Sequence, residues 1–435
     1  MPDIFSELRW RGLISQTTDD ENLPAWLEEK PRSVYVGFDP TADSLQVGNL
    51  VGIMALRRFQ RAGHRPIALV GGATGMVGDP SGKSEERNLL SVKTLETNVA
   101  AVRKQLERFL DFDCGGNSAV MVNNYDWMGR FAYLDFLRDI GKHFPVNVML
   151  AKDSVKSRLE RTDSGLSYTE FSYMLLQAYD FVYLNEHYQC ELQAGGSDQW
   201  GNITAGIDLA RRLRCVQLYG ITWPLLVTSE GTKMGKTESG SLWLSPERTS
   251  PYHFYQYWIN LADTEVDQCL RFLTDLGREE IESLLAEQAS DPARREAQRR
   301  LAAELTRLVH GDEGLATARR ATDVFFGAEI KIKVSDQLAW SDAQLCDIFA
   351  DVPSRALSLD RLSGDGLSVI DAFCESGLSK TKSEARRLIT QGGAYVNNRR
   401  LDQIDARLGP ADLASESVMV LRSGKKKYAL LRFAS

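Results

Sequence analysis

The 435-residue sequence lacks any apolar run long enough to cross a bilayer. It also lacks the pattern of a targeting segment, because the first twenty residues contain Arg9 and Arg11 together with four acidic residues. A transit peptide is poor in acidic residues, and a signal peptide needs an uninterrupted apolar stretch. We therefore expect a cytoplasmic protein that has no contact with membranes.

The six cysteines are scattered, and none forms a C-x-x-C pair. This absence argues against a zinc ribbon and against a disulfide framework, so we expect buried free thiols in a reducing compartment. Internal repeats and low-complexity segments are absent as well. With 43% hydrophobic and 26% charged residues, the composition is that of an ordinary globular protein rather than a disordered, collagenous or coiled-coil chain.

The net charge of −7 gives little indication of nucleic-acid binding. The charge is nevertheless unevenly distributed. Residues 366–435 contain twelve Lys or Arg against seven Asp or Glu, a local balance of +5, which leaves −12 for the rest of the chain. A basic tail on an acidic body indicates that the tail meets phosphate groups.

Strand and helix signals alternate over the first two hundred residues. The predicted strands cover residues 33–38, 65–70, 119–122 and 191–194, and the predicted helices cover 49–61, 91–112 and a segment that begins at Trp200. This rhythm predicts an α/β fold with a Rossmann-like doubly wound parallel sheet, in which ligands bind beyond the carboxyl ends of the strands.

A chain of this length is expected to form two or three domains. We predict the sheet domain over residues 1–245 and a helical domain over 246–330. A linker follows over 331–365, and a small α+β domain covers 366–435.

Residues 38–50 join the first predicted strand to the first predicted helix. Gly48 allows a ligand to approach the backbone, while Thr41, Gln46 and Asn49 can direct donors at a phosphate near the helix N-terminus. A plain strand-to-helix turn with a capping Asn explains the same residues equally well, so this segment alone leaves both interpretations open.

A second segment, residues 230–240, is rich in glycine and contains Lys233 and Lys236. Two lysines three positions apart on a flexible loop suit the charge that develops on pyrophosphate in a transition state. The segment lacks the spacing of a Walker loop. Taken alone, such a segment is more often a solvated surface loop.

Together, and in this order, the two segments resemble the His-Ile-Gly-His and Lys-Met-Ser-Lys-Ser motifs of class I aminoacyl-tRNA synthetases. Gly235 and Thr237 are mild replacements in the second motif, whereas Gln46 and Asn49 replace both histidines of the first. Longer segments resemble the bacterial-type tyrosyl-tRNA synthetase family over most of the chain: Tyr35 to Leu45, Gly71 to Gly75, Gly78 to Lys83, Asn123 to Trp127, Tyr173 to Asp180 and Gly195 to Asn202.

This resemblance implies a pocket for tyrosine, with Tyr35 and Asp180 on its phenol hydroxyl. Tyr173, Gln177 and Asp180 recur at i, i+4 and i+7, so they share one face of a helix that is rich in buried residue types. The resemblance assigns Asp79, Tyr173 and Gln177 to the ammonium group of the substrate, and it places Gln193 and Gln199 in the pocket wall.

The resemblance also implies an ATP site. Its nucleotide-binding residues are Gly37, Asp39, Gly48, Gly196, Asp198 and Met234, with Gly196 and Asp198 on the ribose. Its catalytic residues are Thr41, Gln46, Asn49, Lys83, Arg87, Lys233, Lys236 and Thr237. Mg²⁺ is expected to arrive with ATP, since the sequence has no dedicated carboxylate cage, and no tightly bound cofactor or resident metal is expected.

The last domain resembles the RNA-binding fold of ribosomal small-subunit protein four, with Lys380, Lys382, Arg386 and Arg387 facing RNA. Arg399, Arg400 and Lys425 to Lys427 extend this basic patch. A solvated amphipathic helix is the alternative explanation of these charges. The helical domain is expected to lie on the anticodon side of tRNA(Tyr).

The family resemblance predicts a homodimer formed across residues 131–150, including Phe136, Leu137, Ile140 and Phe144, although these residues also suit an ordinary core.

The predicted activity is ATP-dependent formation of tyrosyl-adenylate and transfer of tyrosine to the 3′ end of tRNA(Tyr). Two alternatives remain. Gln46 and Asn49 leave open a specialised or inactive RNA-binding paralogue, and a tryptophan enzyme is the alternative within the class, against which Tyr35 and Asp180 argue.

Overall fold

The structure is a computed structural model that describes residues 3–81, 91–152, 155–156, 159, 165–237, 240–325, 333–334, 337–338, 340–350, 352–424 and 427–434. Its contacts divide the chain into two compact units, Met1–Thr249 with Tyr257–Val309, and Ser250–Gln256 with His310–Ser435. Residues 257–309, which we predict to belong to a separate helical domain, thus lie in the same unit as the sheet. The domain boundaries themselves stay predictions.

The first unit is built on a six-stranded sheet in the order β1-β6-β5-β2-β3-β4, parallel except for β1. The doubly wound sheet is therefore confirmed. Its strands are β1 Gln16–Thr17, β2 Ser33–Phe38, β3 Arg65–Val70, β4 Val120–Asn123, β5 Cys190–Gly196 and β6 Tyr219–Trp223. A separate hairpin is formed by β7 Lys236–Thr237 and β8 Gly240–Ser241.

Helices surround this sheet because their apolar faces pack on its buried strands, as Phe181 and Leu209 do in the core that contains Ile67. They are α1 Ile4–Trp10, α2 Leu23–Glu29, α3 Val47–Arg61, α4 Thr74–Val77, α5 Val92–Leu106, α6 Tyr125–Met128, α7 Tyr133–Asp139, α8 Val146–Leu150, α9 Tyr168–Tyr188 and α10 Trp200–Arg214.

Helix α5 is shorter than predicted. It ends at Leu106 rather than near Phe112, and the chain continues in tighter turns, in which the Phe109 N–H donates to the Leu106 carbonyl over 3.1 Å. Beyond these turns the Gln60 amide group binds both backbone groups of Asp111. The Gln60 side chain donates to the Asp111 carbonyl over 2.6 Å and accepts from the Asp111 N–H over 3.0 Å. The backbone groups that would continue the helix are therefore used elsewhere.

Four more helices follow, as the loss of strand signals after Ser245 predicts: α11 Pro251–Ile259, α12 Asp263–Leu273, α13 Arg278–Ser290 and α14 Glu296–Phe325. Helix α14 is broken at Gly311, whose φ of 75° is not helical. Among the described residues, no helix is both long and apolar enough to cross a membrane.

The second unit contains a five-stranded sheet in the order β11-β17-β16-β13-β14. Its elements are the short strands β9 Lys333–Val334 and β10 Gln337–Leu338, helix α15 Asp342–Ile348, β11 Ser354–Ser358, β12 Leu367–Ser368, helices α16 Val369–Glu375 and α17 Lys382–Thr390, β13 Ala394–Val396, β14 Arg399–Arg400, β15 Arg407–Leu408, β16 Val418–Ser423 and β17 Lys427–Ala434.

Part of the predicted linker belongs to this sheet. Strand β11 lies within residues 331–365 and pairs in parallel with β17, so this stretch is not a free connector. Most side chains of β11 are polar or exposed, so the sequence lacks the apolar pattern from which a strand is predicted.

All six cysteines are free, as predicted. Only Cys190 and Cys269 are buried, whereas Cys114 and Cys215 are exposed, so the expectation of burial is correct for only part of the set.

Candidate active site

A cleft of about 800 Å³ opens at the carboxyl edge of the parallel sheet, where a doubly wound fold binds its ligands. Helix α9, the N-terminus of α3 and a loop that contains the two lysines complete its walls. The cleft brings together nearly all of the predicted residues of the sheet domain: Tyr35, Gly37, Asp39, Thr41, Gln46, Gly48, Asn49, Asp79, Tyr173, Gln177, Asp180, Gln193, Gly196, Asp198, Gln199, Lys233, Met234 and Lys236.

Asp180 lies at the floor of this cleft and is 1% exposed. Each of its carboxylate oxygens accepts one hydrogen bond. The Trp127 indole Nε1 donates to Oδ1 over 2.8 Å, and Asn124 Nδ2 donates to Oδ2 over 3.0 Å. Burial raises the Asp180 pKa to about 7, against the lowering effect of the two donors.

Tyr35 faces the same floor from strand β2 and is also buried. Its hydroxyl has no hydrogen-bond partner among the described residues, although the ring packs edge-on against Phe181 at 5.3 Å between centroids. Burial, followed by the nearby charge of Asp180, raises the Tyr35 pKa well above its ordinary value. The hydroxyl is therefore neutral and available to a polar group that enters the cleft.

Asn124 and Trp127 have no individual role in the sequence prediction, which contains them only as part of the segment Asn123 to Trp127. Asn124 also donates to Thr74 Oγ1 over 3.1 Å and accepts from the Ala73 N–H over 2.7 Å. With every polar group of its side chain used, Asn124 fixes the orientation of the Asp180 carboxylate.

The middle of the cleft is lined by carboxylates and amides. Asp79 accepts from Gln199 Nε2 over 2.7 Å and from the Ser81 N–H over 2.9 Å. The side-chain oxygens of Gln177 and Gln193 are buried and have no hydrogen-bond donor among the described residues. These acceptors are the groups that a substrate ammonium requires.

Tyr173 lines the cleft as predicted, and because a hydroxyl that donates can also accept, its contact with the substrate ammonium stays a prediction. In the structure the hydroxyl donates to Asp39 Oδ2 over 2.9 Å, while Thr74 Oγ1 donates to Asp39 Oδ1 over 2.8 Å. A Cβ atom on Gly71 would lie 2.2 Å from Asp39 Oδ1, so only glycine fits beside this network.

The first motif segment forms the N-terminus of α3, with Gln46 at the N-cap. Asn49 Oδ1 accepts from the Gln46 N–H over 2.9 Å, so the capping role that the sequence left open is present. Because its oxygen is used in this way, the Asn49 NH₂ group is left for a ligand. A Cβ on Gly48 would meet nothing within 4 Å, which leaves the backbone open toward the helix N-terminus.

The second motif segment lies in a loop whose described residues, 225–237 and 240–243, we name the lysine loop. Lys233 Nζ lies 3.7 Å from Asp198 Oδ2, and Lys236 lines the cleft beside it. Burial raises the Asp198 pKa, and the Lys233 charge opposes this shift. Asp198, predicted to bind the ribose, and Lys233, predicted to bind a phosphate, thus form an ion pair with each other.

The N-terminus of α3 touches the lysine loop directly, although the two are far apart in sequence, and the Leu242 N–H in turn donates to the carbonyl of Gly235 over 2.7 Å. The Val47 N–H donates to the Leu242 carbonyl over 3.1 Å, and Gln46 pairs with Trp243 in an isolated antiparallel bridge. Gly235 has a φ of +84°, and a Cβ there would lie 3.3 Å from Val47 Cβ. Glycine at this motif position therefore permits both the loop conformation and its close approach to α3.

Several predictions fall outside this geometry. Lys83 and Arg87 lie outside the described residues, and of Thr237 only the backbone is described, in strand β7. The described residues contain no group of three or more metal-ligating side chains. Apolar and small lining residues without a signal of their own in the sequence are Leu69, Thr74, Trp223, Leu225, Leu226 and Ser241.

In the second unit, the four predicted RNA-binding residues Lys380, Lys382, Arg386 and Arg387 are all exposed. Lys382 Nζ forms an ion pair with Asp371 at 2.8 Å. Among the described residues neither arginine forms an ion pair, so both charges are available to phosphate groups. Lys425 and Lys426 lie outside the described residues.

The predicted dimer segment carries exposed apolar side chains, although not the four that were singled out. Ile140 is buried, and Phe136 and Phe144 pack partly against the core of the first unit. The exposed residues are their neighbours: Tyr133, Leu134, Val146, Val148 and Leu150.

Comparison with known proteins agrees with this geometry. Residues 27–327 match the family model of class I tRNA synthetases (W and Y), and residues 344–431 match the C-terminal domain of the tyrosine–tRNA ligase type. The chain is 57% identical to a tyrosine–tRNA ligase of Rhodopirellula baltica, with 99% of this chain and 96% of the relative covered. It is 51% identical to a tyrosine–tRNA ligase of Roseiflexus castenholzii, with 99% and 100% covered.

Among solved structures, a C-terminally truncated mitochondrial tyrosyl-tRNA synthetase of Aspergillus nidulans matches with a TM-score of 0.66 and 31% identity, and the match covers 75% of this chain and 95% of that one. A tryptophanyl-tRNA synthetase of Encephalitozoon cuniculi, at 14% identity, shares the fold alone. The chain therefore belongs to the class I tRNA synthetases for tryptophan and tyrosine, and within them to the family of tyrosine–tRNA ligases.

Proposed function

We propose that the cleft activates L-tyrosine with ATP and then transfers the tyrosyl group to tRNA(Tyr). The observation that carries this proposal is the pair of Tyr35 and Asp180 at the cleft floor. A buried carboxylate with two donors and a buried hydroxyl without a partner suit a ligand that brings one more hydroxyl to the same place.

In the proposed complex, the phenol hydroxyl of tyrosine donates to Asp180 and accepts from Tyr35. The ammonium group lies among Asp79, Tyr173 and Gln177, with Gln193 and Gln199 in the pocket wall. The carboxylate points toward the α3 N-terminus. Phenylalanine would leave the Asp180 and Tyr35 groups unpaired in a buried site, which disfavours its binding. Tyrosyl-tRNA synthetases are themselves the standard illustration of this rule.

Activation needs no protein nucleophile. The tyrosine carboxylate attacks the α-phosphorus of ATP, and the bond to the pyrophosphate oxygen breaks, giving tyrosyl-adenylate and pyrophosphate. Thr41, Gln46, Asn49, Lys233 and Lys236 hold the phosphates and offset the developing charge, while Gly196 and Asp198 hold the ribose. Mg²⁺ enters as the complex of ATP. The family resemblance assigns Lys83 and Arg87 to the pyrophosphate, and Thr237 belongs to the catalytic set by its position in the second motif.

In the transfer step, a hydroxyl of the terminal tRNA ribose attacks the carbonyl carbon of the adenylate, and AMP leaves. The exposed charges of Lys380, Lys382, Arg386 and Arg387 support contact with the tRNA backbone. The exposed apolar side chains near residues 133–150 support a homodimer, because several large apolar groups exposed within one short segment favour burial against a partner. A cytoplasmic location is part of the same proposal.

The test is pyrophosphate exchange with tyrosine, phenylalanine and tryptophan in turn. We expect exchange with tyrosine only. Exchange with none of the three would support the inactive paralogue, and exchange with tryptophan would overturn the assignment of Tyr35 and Asp180. The relatives named above favour the active enzyme.

A further inference from the structure

The lysine loop is held on its outer side by side chains that neither motif contains. We propose that Tyr257 and Glu265 are positioning residues, which hold the backbone of the lysine loop during tyrosine activation. This inference rests on the proposed contact of Lys233 and Lys236 with the phosphates of ATP.

Tyr257, in helix α11, acts at the centre of the loop. Its hydroxyl accepts a hydrogen bond from the Gly235 N–H over 3.0 Å. Gly235 lies between the two lysines in sequence, so this bond fixes the peptide from which both side chains extend. Burial raises the Tyr257 pKa, which keeps the phenol neutral and able to accept at physiological pH.

Glu265, in helix α12, holds the outer turn of the same loop. Its Oε1 accepts from the Ser229 N–H over 2.8 Å and from the Ser229 hydroxyl over 3.3 Å. The turn is closed by a hydrogen bond from the Thr228 N–H to the Thr232 carbonyl over 2.8 Å. Glu265 therefore holds a preformed turn rather than an extended strand.

A third contact holds the loop at Met234, which lies between Ser229 and Gly235 in sequence. Met234 is 4% exposed, and its sulfur lies 3.4 Å from the sulfur of the buried Cys269. The residue next to Lys233 is thus packed into the protein, while the lysine side chain itself points into the cleft.

Helix α12 is in turn fixed to the helix of the first motif. Arg58 of α3 donates to the carbonyls of Phe272 over 2.9 Å and Thr274 over 2.7 Å, at the C-terminal end of α12. Arg11 donates to the Leu276 carbonyl over 2.7 Å. Arg58 thus binds carbonyls that the C-terminus of α12 leaves unpaired, and Arg11 binds the segment that follows the helix.

These contacts form a closed ring. The N-terminus of α3 touches the lysine loop at Leu242, the loop touches α12 through Ser229, and α12 returns to α3 through Arg58. The backbone of the loop is therefore held while the Lys233 side chain can leave Asp198 for a phosphate. Loss of either acceptor should affect the rate of activation but not the binding of tyrosine, whose residues lie on other elements.

The experiment measures kcat and KM for pyrophosphate exchange in four variants of the full-length enzyme. Tyr257→Phe removes one acceptor, and Glu265→Ala removes the other. Glu265→Gln keeps a side-chain oxygen that can accept from the Ser229 N–H. Tyr255→Phe is the matched control, because Tyr255 lies in the same helix and its side chain makes no hydrogen bond among the described residues.

We expect kcat to fall roughly 3- to 10-fold in Tyr257→Phe and in Glu265→Ala, the rate equivalent of one hydrogen bond. We expect the KM for tyrosine and the thermal midpoint to stay within error, and Glu265→Gln to recover most of the rate. Unchanged kcat in both variants would overturn the inference, as would an equal loss in Tyr255→Phe.

Lys233→Ala separates this inference from the function on which it rests. If Lys233→Ala leaves kcat unchanged, the proposed role of the lysines fails and the inference fails with it. If Lys233→Ala lowers kcat while Tyr257→Phe and Glu265→Ala do not, the lysines act as proposed and only the positioning role is wrong.

Discussion

The indole N–H of Trp127 donates to Asp180 Oδ1 over 2.8 Å, and both side chains are buried. The same indole stacks on the ring of Tyr183 at 4.3 Å between centroids, with an angle of 16° between the planes. The stacking fixes the plane of the indole, and the plane fixes the direction of its N–H. Trp127 thereby orients the carboxylate that we assign to the phenol of tyrosine.

This relationship predicts the effect of Trp127→Phe. Phenylalanine retains an aromatic ring against Tyr183 but removes the donor to Asp180. Because hydrogen bonds to charged groups contribute roughly 1.5–3 kcal/mol, we expect kcat/KM for tyrosine to fall about 10- to 100-fold, with KM for ATP little changed. Trp340→Phe, in the other compact unit, is the control for loss of an indole. A loss that appears equally in KM for ATP would contradict the assignment.

The raised pKa of Asp180 predicts a pH dependence. Burial raises this pKa from 3.8 in the unfolded chain to about 7 in the ligand-free fold, so the fold binds the proton more tightly. The resulting stabilisation is fully present below about pH 4 and is lost as the pH rises through 7. The free energy of unfolding, measured with urea, should therefore fall less between pH 4 and pH 7 in Asp180→Asn than in the parent protein.

Tyrosine binding is expected to show the opposite trend, because the phenol donates to the ionised carboxylate. Below pH 7, binding requires Asp180 to lose its proton, which weakens affinity by up to about tenfold for each pH unit. Calorimetric titration with tyrosine between pH 5.5 and 8 tests this expectation. An affinity that does not vary over this range would mean that the protonated acid also accepts the ligand.

Those features of the cleft that follow from local spacing along the chain could be predicted from the sequence. Tyr173, Gln177 and Asp180 were placed on one helical face by their spacing alone, and all three line the cleft. The carboxyl edge of the sheet followed from the alternation of strands and helices. Both rules depend on short-range periodicity, which a single sequence contains in full.

The features that could not be predicted depend on contacts between residues distant in sequence. No local signal indicates that the Tyr173 hydroxyl bonds Asp39, that Gln60 bonds the backbone of Asp111, or that Tyr257 reaches Gly235. Strand β11 was missed for a related reason, since it joins the sheet by backbone pairing with β17 and has few apolar side chains.

Gly235 provides a prediction about the second motif, in which the family pattern has serine at this position. At a φ of +84° and 3.3 Å from Val47 Cβ, a side chain adds both backbone strain and a close contact with α3. We expect Gly235→Ser to lower kcat for pyrophosphate exchange about tenfold or more. Gly231→Ser is the matched control, because Gly231 has a φ of +79° in the same loop but open space around its Cβ. Equal losses in the two variants would show that contact with Val47 is unimportant.

Gln46 provides a prediction about the first motif. Its backbone N–H is held by Asn49 whatever its side chain, so substitution should leave the α3 N-terminus folded. We expect Gln46→Ala to lower kcat for activation about tenfold, the cost of one donor to a charged phosphate, with KM for tyrosine unchanged. Gln46→His should restore the rate, since imidazole also offers an N–H. Full activity of Gln46→Ala would remove Gln46 from the catalytic set.

The exposed arginines of α17 give a prediction for tRNA binding. Arg386 and Arg387 have no ion pair among the described residues, whereas Arg361 is paired with Glu375 at 2.9 Å on the surface of the same unit. Each phosphate contact contributes about 0.7–0.9 to the slope of log affinity against log salt concentration. The double variant Arg386→Ala/Arg387→Ala should therefore bind tRNA more weakly at 100 mM salt and show a slope smaller by about 1.4–1.8.

Arg361→Ala is the control, and it should leave the slope unchanged because the charge of Arg361 is already neutralised by Glu375. Tyrosine activation, which takes place in the other compact unit without tRNA, should keep its rate in all three proteins. A double variant with weaker binding but the parent slope would mean that the two arginines support the fold of this unit and do not contact phosphate.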